Sequence, residues 1–436
     1  MYRIGMILLA GLLASCSDSG TGVATRIDKD GEGRWTLTYR ADKPVTRLAF
    51  ARNPDDSRGR RWAPLSEELE ISHQDGEEFI RRRDGQPFTS AAFALTPTYT
   101  HLPKDYAPFQ PFSDGGMLVH SGRFFACADA CGEEDSDWSI TVVAPAGEHI
   151  LVKGLRIEGS ASWQDGDSGR SFYIGKAEPI ATDAVLALVD PGLPNDVKSQ
   201  LQKAFPAMMA YFRRHLGSPA GKPMLFASYG KTTDGRHGQQ GGVLPGEVSM
   251  HWYGPEALFE QPDFLNDNIW FLAHEAGHIH QGSAMESDSP ADAWIHEGHA
   301  ELMALLAMDR LFPQARDYLA GKLAGAQRDC DKGLRESSLA KAAKTGRFEL
   351  MYSCGLALHK AIHDQLGGGD AGLTLWRRYQ KQVDAGQAPG RENFLALVAE
   401  MTSPTFVREL QERVKGPILA GPCPLQAPDK RLVMGP

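Results

Sequence analysis

His274 and His278 stand four positions apart, with Glu275 directly after the first. On a helix this spacing puts both imidazoles on one face, with the carboxylate one step round. Two ring nitrogens so placed suit a zinc ion, and the adjacent carboxylate suits removal of a proton from zinc-bound water. A zinc site that does chemistry needs a third protein ligand and an open position. Downstream candidates for that ligand are His280, Glu286, Asp288, Asp292, His296, Glu297, His299 and Glu301. His280 follows His278 by two positions, which turns it away from the metal face of a continuous helix. Glu297 follows His278 by 19 positions, within Trp294-Ile295-His296-Glu297-Gly298-His299-Ala300, at the head of a second helical run to Arg310. Ser287, Asp288, Ser289 and Pro290 supply a loop that lets the chain reverse. The second helix then packs antiparallel to the first and offers Glu297 to the same metal.

The elements that must position these groups divide the chain in two. From about Arg34 to Leu188, short alternating or β-rich runs alternate with Asp/Gly turn clusters, the pattern of an antiparallel β-domain. Arg34–Tyr39, Thr46–Phe50, Leu69–Ser72, Trp138–Val143 and His149–Ile157 read as strands. Asp114 to His120 reads as a β-turn into a strand, and no chemistry is assigned to this half. The composition shifts near Asp190-Pro191-Gly192. Beyond it, Val197 to Leu216 carries the apolar stripe Leu201, Phe205, Met208, Met209, Phe212 of a helix, with a kink or break expected at Pro206. Lys222–Tyr229 reads as a buried strand, Gly242–Trp252 as an edge strand, and Asn268–Gln281 as the helix bearing the two histidines. Leu373–Val383, Glu392–Met401 and Thr405–Val414 read as closing helices. The class is α+β, with an N-terminal β-domain over 17–187 and a catalytic domain over 188–436.

The run HExxH, eighteen residues, then Glu within W-x-x-E-G-x-A resembles the gluzincin metallopeptidases, and is most similar to the aminopeptidase N and glycyl aminopeptidase families. A metzincin would carry Gly and His where this chain has Gln281 and Ala284. The resemblance implies a thermolysin-like zinc peptidase domain of a small sheet plus helices. It implies one zinc ion held by His274, His278 and Glu297, Glu275 as the general base, peptide or protein substrates, and aminopeptidase activity. Tyr352, in Met351-Tyr352-Ser353-Cys354-Gly355 and 55 positions after Glu297, matches the tyrosine with which these families steady the oxyanion. His359 and His363 share its helical face and read as a polar face. The Gly-x-Met-Glu-Asn strand that holds the substrate amine in aminopeptidase N relatives is absent. Gly241 to His251 loosely resembles the Gly-Gly-x-x-His/Ser edge strand of glycyl aminopeptidase relatives, so Gly242 to Ser249 is expected to hold an extended peptide by strand addition. Glu247 is either an anchor for the substrate amine or an exposed edge-strand charge. The alternative function is a catalytically silent, zinc-containing envelope lipoprotein that binds peptides or envelope components.

Residues 1–16 read as an export signal: a basic start at Arg3, an apolar run Ile4–Leu13 too short to span a bilayer, and Leu13-Ala14-Ser15-Cys16. That ending resembles a bacterial lipobox, which implies lipidation of Cys16 and anchoring in the cell envelope. Ser17 and Asp18 after it imply the outer membrane, facing the periplasm. The formal charge of −9 argues against nucleic acid as a partner. With Cys16 assigned to lipid, five of the six cysteines remain, so at least one is unpaired. Cys127 and Cys131 suit a small loop disulfide; Cys330, Cys354 and Cys423 are left open.

Overall fold

The computed structural model describes residues 22–415, apart from Pro54, Pro103, Lys104, Glu133, Glu134, Glu286 and Asp288. Cys16 and its leader, Cys423, the tail from Gly416 and the candidate ligands Glu286 and Asp288 lie outside the described residues. Two compact units emerge. One takes the chain as far as Thr98, then His120–Ile150 and Ile157–Arg170; the other takes Tyr99–Val119, Leu151–Arg156 and everything from Ser171. The single boundary expected near residue 187 is therefore replaced by several crossings, and Tyr99–Val119 belongs with the C-terminal half.

In the first unit a six-stranded sheet runs in the order 160–165, 138–143, 23–29, 35–45, 88–95, 62–64. Val23–Lys29 pairs in parallel with Trp138–Val143 and antiparallel with Trp35–Val45, so the sheet is mixed rather than purely antiparallel. Alternation sets its faces: Val23, Thr25, Ile27 and Lys29 are buried while Ala24 and Arg26 are exposed. A four-stranded sheet, 126–128, 47–50, 77–82, 69–74, completes the unit. One helical turn, α1 (Arg58–Arg61), sends Arg58 into the core, over the Phe50 ring and 2.8 Å from Glu78. Cys127 and Cys131 form a disulfide. The run His149–Ile157 is a hairpin, turned at Lys153 and Gly154, both at positive φ.

The second unit is built on a five-stranded sheet in the order 180–181, 186–189, 224–231, 247–254, 238–244. Its three central strands are parallel and almost wholly buried, hence their continuous apolar character. The single strand expected over Gly242–Trp252 is two strands. Pro245 and Gly246, the latter at φ 78°, turn the chain between the edge strand Gly238–Leu244 and the inner strand Glu247–Gly254. Helix α2 (Asn195–Leu216) lays Leu201, Phe205, Met208 and Phe212 in the core and continues unbroken through Pro206.

The remaining helices follow: α3 (Phe264–Gln281), α4 (Ala293–Leu311), α5 (Arg316–Glu336), α6 (Leu339–Lys344), α7 (Glu349–Gln365), α8 (Ala371–Asp384), α9 (Arg391–Met401) and α10 (Pro404–Lys415). Helix α3 starts four residues before Asn268, where the sequence places its beginning, and α5 has no counterpart among the expected elements. A second disulfide, Cys330–Cys354, ties α5 to α7. No helix among the described residues is long and apolar enough to cross a membrane.

Helices α4 and α7 meet at two glycines. A Cβ on Gly298 would lie 2.4 Å from Gly355 Cα, and one on Gly355 would lie 2.5 Å from Gly298 Cα. Only hydrogen atoms fit between these backbones, so Gly298→Ala should force them apart at a cost of about 1–3 kcal/mol. A urea melt would read this as a lower midpoint. Gly321→Ala, at a helical glycine with nothing within 4 Å of the added carbon, should leave the midpoint unchanged or raise it slightly.

Candidate active site

The two long helices α3 and α4 run antiparallel: Gln281 contacts His296, His278 contacts Glu297, and both His274 and Trp270 contact Glu301. This pairing brings three ligand atoms together. His274 Nε2 lies 3.0 Å from His278 Nε2, and Glu297 Oε2 lies 3.1 Å and 3.2 Å from the two nitrogens. Tetrahedral zinc with bonds of about 2.0–2.1 Å places its ligand atoms roughly 3.3 Å apart. The triangle therefore has the dimensions of three vertices of a zinc tetrahedron.

The outer nitrogens explain why it needs a cation. His278 Nδ1 lies 2.7 Å from Gln281 Oε1. The Gln281 amide is oriented by its other end, which donates to the His296 carbonyl at 2.8 Å and faces His299 Nδ1 at 3.1 Å. His278 must then carry its proton on Nδ1. His274 Nδ1 lies 2.9 Å from Glu301 Oε1, which draws the proton of that ring outward as well. Two neutral rings so held point two lone pairs and a carboxylate oxygen at one another, an arrangement a metal ion resolves. The residues present thus fit zinc, with His274, His278 and Glu297 as ligands.

The local carboxylates favour a positive charge at this point, whether a proton or a metal ion carries it. Burial pushes His274 toward neutrality, but Glu297 and Glu301 outweigh it and hold the ring well above the ordinary histidine value. Burial pushes Glu297 up, yet His274, His278 and His296 hold it well below the usual carboxylate range. Glu275 has no such dominant partner, and burial raises its pKa, which strengthens it as a base. Tyr352, on the first turn of α7, is 39% exposed, with its ring 5.7 Å from that of His274. Burial, then Glu297 and Glu275, push its phenol up, so it keeps the proton it would donate.

These groups open into a cleft of about 1020 Å³. His274, Glu275, Glu297, Glu301 and Tyr352 line one side, and Gln239 to Gly242 of the edge strand line another. Gly242 is among the residues that line this cleft. Glu247 is not: it begins the inner strand, is buried, and accepts a 2.7 Å hydrogen bond from the Ser171 N–H. It is neither at the cleft nor an exposed edge charge, because the strand it occupies lies inside the sheet. His280 faces the Gly217 carbonyl and Asp292 accepts from the Arg391 N–H, while His299 stacks on Trp376. His359 and His363 are buried rather than a polar face; His359 packs among Trp294, His299 and Phe394, and His363 Nδ1 accepts from Gly372. Sequence reasoning missed Gln281, whose i, i+3 relation to His278 was the available signal. It also missed Asp105, Tyr106 and Gln110, which line the cleft from a segment with no local motif.

Solved structures share this architecture. An aminopeptidase N family protein from Idiomarina loihiensis matches with a TM-score of 0.63 at 10% identity, covering 92% of this chain and 77% of that one. A mutant M1 zinc metallopeptidase from Deinococcus radiodurans, bound to a Tyr-Ser-Ala substrate, matches at 0.50 and 16% identity, with 92% and 94% covered. Native yeast LTA4 hydrolase matches at 0.52 and 13% identity, with 94% and 71% covered. The mixed α+β chain thus has the fold of M1 zinc metallopeptidases. No protein-family model matches the sequence, and no curated protein matches it.

Outer partners of metal-bound histidines typically contribute about 10–100-fold in metal affinity. Gln281→Leu and Glu301→Gln should each weaken zinc binding by a factor in that range. Competition with a chromogenic chelator measures it, and circular dichroism should show unchanged helix content.

Proposed function

We propose that the protein is a zinc-dependent peptidase. The observation that carries this reading is the triangle of His274 Nε2, His278 Nε2 and Glu297 Oε2 in a cleft that also holds Glu275 and Tyr352. The likeness to M1 zinc metallopeptidases, one of them bound to a tripeptide, supports peptide as the substrate class. His274, His278 and Glu297 would hold the zinc ion, which would supply Lewis acidity to the site. Glu275, buried and raised in pKa, takes the proton from that water and delivers it to the leaving amine. Tyr352 keeps its proton and donates a hydrogen bond to the oxygen of the tetrahedral intermediate. The edge strand presents backbone groups to an extended substrate. Anchoring through a lipid on Cys16 is part of the proposal, on the strength of the leader sequence.

Glu275→Gln should retain zinc and lose about 10²–10⁴-fold in turnover of peptide substrates. Tyr352→Phe should lose about 10²–10³-fold in kcat with zinc content unchanged. Metal analysis alongside a fluorogenic peptide assay reads both, and wild-type turnover by the Glu275→Gln protein would refute the mechanism. A chelator should abolish activity and added zinc restore it. In a bacterial host, palmitate labelling should disappear in Cys16→Ser.

A further inference from the structure

The cleft does not end at Tyr352. A second groove of about 700 Å³ shares Asp267, Glu301, Lys322 and Tyr352 with it, and runs on between α5 and the first turn of α7. Its long wall is one face of α5, where Tyr318, Lys322, Gly325, Ala326 and Asp329 recur at helical spacing. From Asp317 to Asp329 that helix rises about 18 Å, the length of about five extended residues. Gly321 and Gly325 keep the wall low, although glycine inside a helix is less stable than alanine. Packing asks for neither. A Cβ on Gly321 would meet nothing within 4 Å, and one on Gly325 only the tip of Arg328 at 3.8 Å.

The groove already seats a cation. The Lys322 ammonium lies 5.6 Å from the ring centres of both Trp270 and Tyr318, and 3.2 Å from Asp267 Oδ1. Both rings are within the range at which an aromatic face attracts an ammonium. One lysine leaves the groove far from neutral. Glu301 is taken up by His274 and Trp270, and Glu349 by Arg347. The exposed carboxylates of Asp263, Asp317 and Asp329 have no hydrogen-bond or ion-pair partner among the described residues. A single metal ion would not collect them. Among the described residues, three or more ligand atoms come within 4.8 Å of one another only at the zinc triangle and beside the Cys127–Cys131 disulfide. Carboxylates spread along a groove suit instead a chain that carries positive charges at intervals. We infer that this groove receives basic residues of the substrate, so that the cleft prefers peptides rich in lysine or arginine. Asp263, Asp317 and Asp329 select them by charge, and Gly321 and Gly325 leave room for the chain.

The inference rests on the peptidase reading, and measuring binding apart from turnover separates the two. Zinc-loaded Glu275→Gln protein is titrated with three dye-labelled heptapeptides that carry lysine, glutamine or glutamate at alternate positions. At low ionic strength the lysine peptide should bind about tenfold or more tighter than the glutamine peptide, and the glutamate peptide more weakly than either. At about 0.5 M salt the gap should shrink to about threefold or less, because the carboxylates are exposed. The double change Asp317→Asn, Asp329→Asn should close it at low salt and leave the glutamine peptide's affinity as it was. Glu392→Gln with Glu400→Gln, the same loss of charge on α9 outside the groove, should not. Gly321→Leu should weaken the lysine and glutamine peptides alike by filling the groove. Equal binding of those two peptides at low salt overturns the inference, as does failure of both to bind. So does a preference that survives the two asparagines or high salt, one lost equally with the α9 pair, or unchanged binding by Gly321→Leu. Turnover is read on the wild-type protein. Hydrolysis without the preference sinks the groove and leaves the peptidase reading standing; the preference without hydrolysis does the reverse.

Discussion

Two imidazole lone pairs and a carboxylate oxygen within 3.2 Å of one another form an arrangement that repels itself until a cation is placed among them. The packing of α3 against α4 keeps it assembled. The contacts on the outer face of each histidine come from the helices that carry the ligands: Gln281 of α3 is hydrogen-bonded to His278, and a Glu301 carboxylate oxygen of α4 lies 2.9 Å from His274 Nδ1. The ligand set is thus held by the same contacts that hold α3 against α4. Loosening that helix pair and loosening the metal site are one event.

The same economy extends to α7. Its close approach to α4 at Gly298 and Gly355 brings Tyr352, one turn before Gly355, to the rim above His274. A larger residue at either glycine would move the donor phenol relative to the ligands, because backbone contact leaves no side chain free to absorb the change. Behind this contact, Trp294, Trp376, Tyr379 and Phe394 fill the space among α4, α7, α8 and α9. The geometry of the candidate site is a matter of helix packing more than of loop conformation.

What could be read from the sequence follows from how local each feature is. His274, Glu275 and His278 needed only one helical turn to be recognised. Glu297 and Tyr352 needed spacing and neighbours, and the structure brings both to the same cleft. The hairpin at Pro245–Gly246 was signalled by its own two residues but was hidden by the apolar run on either side. That error put Glu247 on an edge when its strand is interior. Pro206 was expected to disturb α2, yet burial of the apolar stripe on both sides of it carries the helix through. Asp105 and Tyr106 had no signal at all. They reach the cleft only because the chain crosses between the two units several times, a tertiary fact without a local pattern.

The Cys330–Cys354 disulfide carries a consequence for how the protein is assembled. Cys354 lies two residues after Tyr352, so the bond clamps the first turns of α7 to α5 at the point where the phenol emerges. Closing a loop of this length removes about 3–4 kcal/mol worth of freedom from the unfolded chain. A chain made where thiols stay reduced would lose that constraint and could still collect a metal ion, since the cysteines lie on α5 and α7 and the three candidate ligands on α3 and α4. Zinc content would then be a poor guide to whether a preparation has its phenol in place, and the thiol count would be the better assay of maturity.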